Sequence, residues 1–124
     1  MATNLVHRPG WQLSVAATHP SEPVAGDPVR LGEKTGVALT DRGDGGNPTT
    51  HTTVDFGPAV WELEVEGVDG GGNEAVAVGD KIYYTDADDP VLNKKDTGRY
   101  FGIALEAVGS GATAVIKVAH EPSS

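Results

Sequence analysis

The sequence predicts an all-β protein, and three observations predict it. Apolar residues alternate with polar ones in short runs, seventeen Gly and eight Pro punctuate the whole chain, and no stretch carries an apolar stripe at helical spacing. That much Gly and Pro disfavours a helical bundle, and its scatter fits neither collagen nor a low-complexity tail. At 124 residues the chain can bury a core without metal or disulfide staples. The expected layout is an extended N-terminal arm over residues 1–10, a single β domain over 11–120 and a short tail over 121–124.

The elements follow in order. "ATNLVHRPG" has weak periodicity and ends in Pro-Gly, so it reads as the arm. In "WQLSVAA", Trp11, Leu13, Val15 and Ala17 share one side of a period-two pattern, which makes a half-buried strand. "THPSEPVAGDP" is turn chemistry, because proline fixes φ and glycine reaches positive φ. A short strand through Val29 and Leu31 follows, then "TGVALTD", with Val37 and Leu39 on one face. "RGDGGNPTTHTT" reads as a long loop with strand at its end. The clearest strand is "AVWELEVEGV", where Trp61, Leu63 and Val65 alternate with Glu62, Glu64 and Glu66; its acid face must be wet or meet a basic partner. "DGGGN" is expected as a flexible hairpin. Ile82 and Tyr84 then point inward, as do Phe101, Ile103 and Leu105, and finally Ile116 and Val118 in "ATAVIKVAH". About eight short strands in all fit a compact barrel or sandwich.

One pattern recurs. Gly26-Asp27 matches Gly79-Asp80, Val29 and Leu31 match Ile82 and Tyr84, and Gly36-Val37-Ala38-Leu39 matches Gly102-Ile103-Ala104-Leu105. The residues leave two readings open: two similar β-units facing one another, or chance recurrence of common Gly-Asp turns.

Nine Lys and Arg against eighteen Asp and Glu give a net charge of -9, which opposes binding to a phosphate backbone. With no cysteine, the chain can have neither a disulfide nor a thiolate nucleophile. The N-terminus lacks an apolar h-region and no stretch reaches the length of a membrane span, so a soluble product without membrane partners is expected.

Chemistry is hard to find. His7, His19, His51 and His120 are widely spaced, without a metal-ligand pattern. Asp86 to Asp89, "DADD", lacks the ligand spacing of a calcium loop and reads as a solvated turn. "DGGGN" has no phosphate-binding spacing, and Ser14, Ser21 and Ser110 sit in no nucleophile elbow. The Arg42-Gly43-Asp44 tripeptide lies in a loop, as integrin ligands present it, but three residues recur easily by chance. No catalytic set and no cofactor are expected. Trp11 and Trp61 read first as core and second as interface anchors. The arm either donates a strand to another chain or is disordered.

The ordered series "GWQLSVAA", "VAGDPVRLGEKTGVALTD", "AVWELEV", "VGDKIYYTD", "TGRYFGIALEA" and "ATAVIKV" resembles the capsid decoration, or cement, proteins of tailed-phage heads over nearly the whole chain. The resemblance implies a β-barrel or β-tulip-like fold on the outer surface of an expanded icosahedral shell. It implies trimers at local three-fold positions that clamp neighbouring major capsid subunits, and synthesis in the host cytoplasm. It also suggests that the arm, Thr3, Asn4, Leu5, Val6, His7 and Arg8, lies along the shell and adds a strand to a capsid protein. Trp11, Glu62, Glu64 and Glu66 are the candidate interface residues. Two segments, 42–53 and 66–75, are longer than the family's compact turns. The competing reading is a lectin-like β-domain holding a cell-surface glycan on Tyr83, Tyr84 and Tyr100, exposed together. A small hydrolase using Asp80 or His51 is the third.

Overall fold

The computed structural model describes residues 12–121. The arm residues Thr3 to Arg8, Trp11 and the end of the tail lie outside the described residues. The described chain forms eleven strands: β1 (Gln12–Val15), β2 (Pro28–Leu31), β3 (Lys34–Ala38), β4 (Thr52–Asp55), β5 (Ala59–Glu66), β6 (Val68–Asp69), β7 (Gly72–Asn73), β8 (Lys81–Tyr84), β9 (Leu92–Asn93), β10 (Arg99–Ala104) and β11 (Thr113–His120). β6, β7 and β9 have two residues each; the other eight are the strands that the alternation predicts. β6 and β7 pair as the hairpin expected at "DGGGN".

The strands make an open sheet ordered β1-β4-β3-β2 and a closed barrel ordered β10-β11-β5-β9-β8. The two share one plan. In the first, Val29 lies opposite Gly36, Ala38 opposite Val54 and Leu13 opposite Val54. In the second, Ile82 lies opposite Gly102, Ala104 opposite Val118 and Trp61 opposite Val118. The order β1-β4-β3-β2 is therefore repeated, in register, as β5-β11-β10-β8.

The corners repeat down to single hydrogen bonds. Gly26 N–H donates to the Ala38 carbonyl at 2.8 Å and Ala38 N–H to the Asp27 carbonyl at 2.8 Å. Gly79 N–H donates to Ala104 at 2.8 Å and Ala104 N–H to Asp80 at 2.9 Å. Both glycines hold positive φ, +94° and +92°, where an L side chain is strained. Each aspartate accepts the N–H three residues back, Asp27 from Val24 at 3.0 Å and Asp80 from Ala77 at 2.8 Å. Of the two readings left open by the sequence, structural duplication holds.

The units differ where the barrel closes. A two-residue turn joins β2 to β3, whereas a longer connection from β8 to β10 carries β9, which pairs with β8 and runs parallel to β5. The barrel encloses Leu63, Val65, Ile82, Tyr84, Leu92, Phe101, Ile116 and Val118, and a smaller cluster of Val29, Ala38, Val54 and Phe56 fills the open sheet. Val37 belongs to the barrel cluster and its neighbour Ala38 to the other. β3 is thus buried on both faces, which explains why alternation fades after Val37 and Leu39 is only half-buried.

Two inward faces need correction. The register shifts between Tyr100 and Gly102, a β-bulge, so the phase changes within β10: Phe101 and Ala104 face the core, Ile103 is half-buried and Leu105 is exposed. Period-two counting carries the wrong phase past such a bulge. In β1, Leu13 is exposed; only Val15 and Ala17 pack on the small cluster.

Candidate functional site

Polar contacts fasten the two units. The Arg30 guanidinium, on β2, grips Asp86 with Nε to Oδ1 at 2.9 Å and Nη2 to Oδ2 at 2.6 Å, while Nη1 donates to the Gly32 carbonyl at 2.7 Å. This two-point pairing raises the Arg30 pKa, chiefly through the hydrogen bond, and holds the Asp86 carboxyl below the usual carboxylate range for the same reason. The buried Tyr84 hydroxyl lies 2.6 Å from His19 Nδ1 and donates to the His19 carbonyl at 3.1 Å. Burial, then the Asp86 charge, pushes the Tyr84 pKa well up. Deeper in, His120 Nδ1 donates to the Gly57 carbonyl at 2.8 Å, and its Nε2 lies 3.1 Å from Thr35 Oγ1. His19 and His120 therefore act as joints between the halves.

The "DADD" turn is less solvated than expected. Asp86 pairs with Arg30, and Asp88 pairs with Lys95 at 2.7 Å and accepts the Asn93 amide at 2.9 Å. Asp80 is occupied by its corner and by Lys94 at 3.0 Å, and these contacts lower its pKa, the Ala77 N–H most. His51 Nδ1 contacts Thr50 Oγ1 at 2.9 Å, and Arg42 of the loop tripeptide pairs with Glu22 at 3.0 Å. Among the described residues no group of three His, Asp or Glu could hold a metal ion. The glycan reading required three tyrosines exposed together. Tyr84 is buried and only Tyr83 and Tyr100 meet near the surface, edge to face with centroids 6.0 Å apart.

The acid strand lies on the barrel wall. Glu62 and Glu64 are exposed and Glu66 is half-buried; across β11 they face Lys117, Val115 and Thr113. Exposed Val60 and Val115 add apolar surface to the same wall. Trp61 is half-buried against the barrel core, with its Nε1 buried and without a hydrogen-bond partner among the described residues.

Between this wall and the first unit runs a cleft of about 590 Å³. Glu62, Leu63 and Glu64 line one side, His19, Pro20 and Pro28 the other, and the turn from Asp86 to Val91 closes one end. No local pattern in the sequence announces it, because it forms where the two repeats meet.

The family model described as Phage cement protein matches residues 8–120. No curated protein sequence and no solved structure matches the chain.

Proposed function

Because the chain belongs to the phage cement protein family, a family of capsid-stabilising role, we propose that it binds the outer surface of the expanded head and ties neighbouring major capsid subunits together. The observation that carries this reading is the edge at which the chain enters its fold. β1 pairs with β4 on one side and with no strand on the other among the described residues. Residues 3–8 are continuous in sequence with that open edge, as suits a segment that adds a strand to a shell subunit. In this reading Thr3, Asn4, Leu5, Val6, His7 and Arg8 form the attachment, with Trp11 at its root. Glu62, Glu64 and Glu66 meet basic groups on the shell, and three copies stand around each local three-fold position. Many copies on one shell multiply modest contacts, and a ligand that binds only the expanded form stabilises it by mass action.

Co-sedimentation with expanded, undecorated capsids of the cognate phage tests the proposal. Saturable binding by the full chain, lost on deleting residues 2–9, is the expected result. Failure of the folded full-length chain to bind would overturn the cement role, and full binding by the truncated chain would remove the arm from it.

A further inference from the structure

The lane beside β5 is only partly filled. β5 has eight residues, and β9, its neighbour on the side away from β11, has two, with Leu92 opposite Val65. The direction of the backbone groups follows from β11. The Lys117 carbonyl accepts from Leu105 and Glu121 N–H donates to Phe101, so odd-numbered residues of that strand face β10 and even-numbered ones face β5. With Val118 opposite Trp61, the main-chain groups of Ala59, Trp61 and Leu63 turn to β11, and those of Val60, Glu62 and Glu64 turn away. Pairing with β9 reaches only the Glu64 end. The N–H and C=O of Val60 and Glu62 have no partner among the described residues, and Glu62 lines the cleft. Leu92 runs parallel to β5, but the chain before it turns off through residues 86–90, so no strand among the described residues fills the rest of the lane, and the turn walls it.

An unpaired strand edge accepts an extended segment by main-chain hydrogen bonding. The side chains at this edge select its charge. Asp27, Glu62, Glu64, Asp86, Asp88 and Asp89 line the cleft, with no Lys or Arg among the described residues that line it. Asp86 and Asp88 already have cationic partners, whereas Glu62, Glu64 and Asp89 have no ion pair among the described residues. The equivalent edge of the first unit, at Gln12 and Ser14, is uncharged.

The geometry points to strand addition in the reverse sense to the arm: an extended lysine- or arginine-bearing segment of the shell protein pairs with the Val60–Glu62 edge and lays its cationic side chains toward Glu62, Glu64 and Asp89. The identity of the partner rests on the cement reading; the strand-accepting edge does not. Each copy would then give one strand and receive another.

Two variants and one probe test this. Val60→Pro removes an N–H that points away from β11 and leaves the β11 ladder intact, a placement proline tolerates on an edge. The Glu62→Gln/Glu64→Gln double variant removes charge without changing shape. Each should weaken co-sedimentation with undecorated capsids by about tenfold, with melting temperature as the check on folding. The probe is a capped peptide of alternating Lys and Val, titrated onto the isolated protein. It should bind in low salt, whereas the same peptide with alternate backbone amides N-methylated should not. Variants that sediment like the unaltered chain would overturn the inference, as would equal binding of the N-methylated peptide, which would mean attraction without strand pairing. If the unaltered chain fails to sediment, the cement role falls, and the peptide pair still decides whether the edge accepts a strand.

Discussion

Gly102 offers a sharp test of the packing argument. A Cβ built there runs into the Ala119 carbonyl oxygen and crowds His120 Cα at 3.0 Å, both backbone atoms of β11. Backbone cannot swing aside as a side-chain tip can, so Gly102→Ala must separate β10 from β11 beside the bulge. Overpacking of this kind costs about 1–3 kcal/mol, and the lower entropy of an unfolded alanine returns about 0.4–1 kcal/mol. The net loss is about 1–2 kcal/mol, or a melting temperature lower by roughly 4–8 °C. Gly36, its counterpart in the first unit, meets the Asp55 carbonyl at 2.6 Å and Val54 Cγ1 at 2.7 Å, so Gly36→Ala should cost a similar amount. Gly70 has nothing within 4 Å of its Cβ position, and Gly70→Ala should be neutral or slightly stabilising. Urea unfolding followed by circular dichroism reads all three. An unchanged midpoint in Gly102→Ala would refute the close approach of β10 and β11.

Other outcomes follow from particular contacts. Trp61→Ala should cost about 3 kcal/mol, whereas Trp61→Phe, which deletes the unpartnered Nε1, should be close to neutral; chemical denaturation compares them, and an equal loss in both would mean that the indole N–H is satisfied. Removing Arg30 and Asp86 singly and together should give a coupling of about 0.5–1 kcal/mol, modest because Asp86 is 40% exposed; additive effects would dissolve the seam contact. Asp80 and Asp86 titrate below their ordinary 3.8 in the folded state, so the unfolded chain binds more protons. Their contribution is complete above the ordinary value and lost as pH falls through the depressed one. Asp80→Asn and Asp86→Asn should each flatten the acid limb of stability against pH, and an unaltered limb would count against the shifts. Burial, then the hydrogen bond to Glu121, pushes Tyr100 up to about 12, and Tyr84 is raised further by burial. Ultraviolet titration of the folded protein to pH 11 should therefore show less tyrosinate than three ordinary tyrosines would give, and a full signal would contradict both shifts. Because these two pKa values are raised on folding, their stabilisation is present below pH 10 and declines as pH rises above it.

The sequence made much of the fold legible because most strands are wet on one face. The Glu62, Glu64 and Glu66 positions against Leu63 and Val65 fix the phase of β5, and Ile82 and Tyr84 fix β8. Legibility failed where that physics fails. β3 is buried on both sides, so Val37 and Ala38 carry no alternation; the bulge at Phe101 changes phase within β10; and two-residue β9 is too short to have a period. The joints His19–Tyr84 and Arg30–Asp86 span 65 and 56 residues, and no local pattern announces such pairs.

The repeat explains why the acid edge exists at all. Both units lay down the same four strands, and in both the early residues of the first strand turn alternate backbone groups away from the sheet. In the first unit the chain after β1 bends over and bridges His19 to Arg30. That arrangement also brings Arg30 to Asp86 and sets the first unit against the barrel. In the second unit β9 takes the corresponding place beside β8, where Asn93 lies opposite Tyr83. Its connection must also turn to meet the first unit, which leaves β9 too short to cover β5. The uncovered residues are Val60 and Glu62, on the strand that carries the exposed acid face. A duplicated scaffold has thus diverged by one inserted connection, and the insertion that closes the barrel covers only the Glu64 end of the lane beside β5. Lengthening β9 by replacing Pro90 and Asp89 with β-branched residues should then stabilise the isolated protein while weakening its hold on a cationic strand; a gain in both would break the link between closure and the vacant edge.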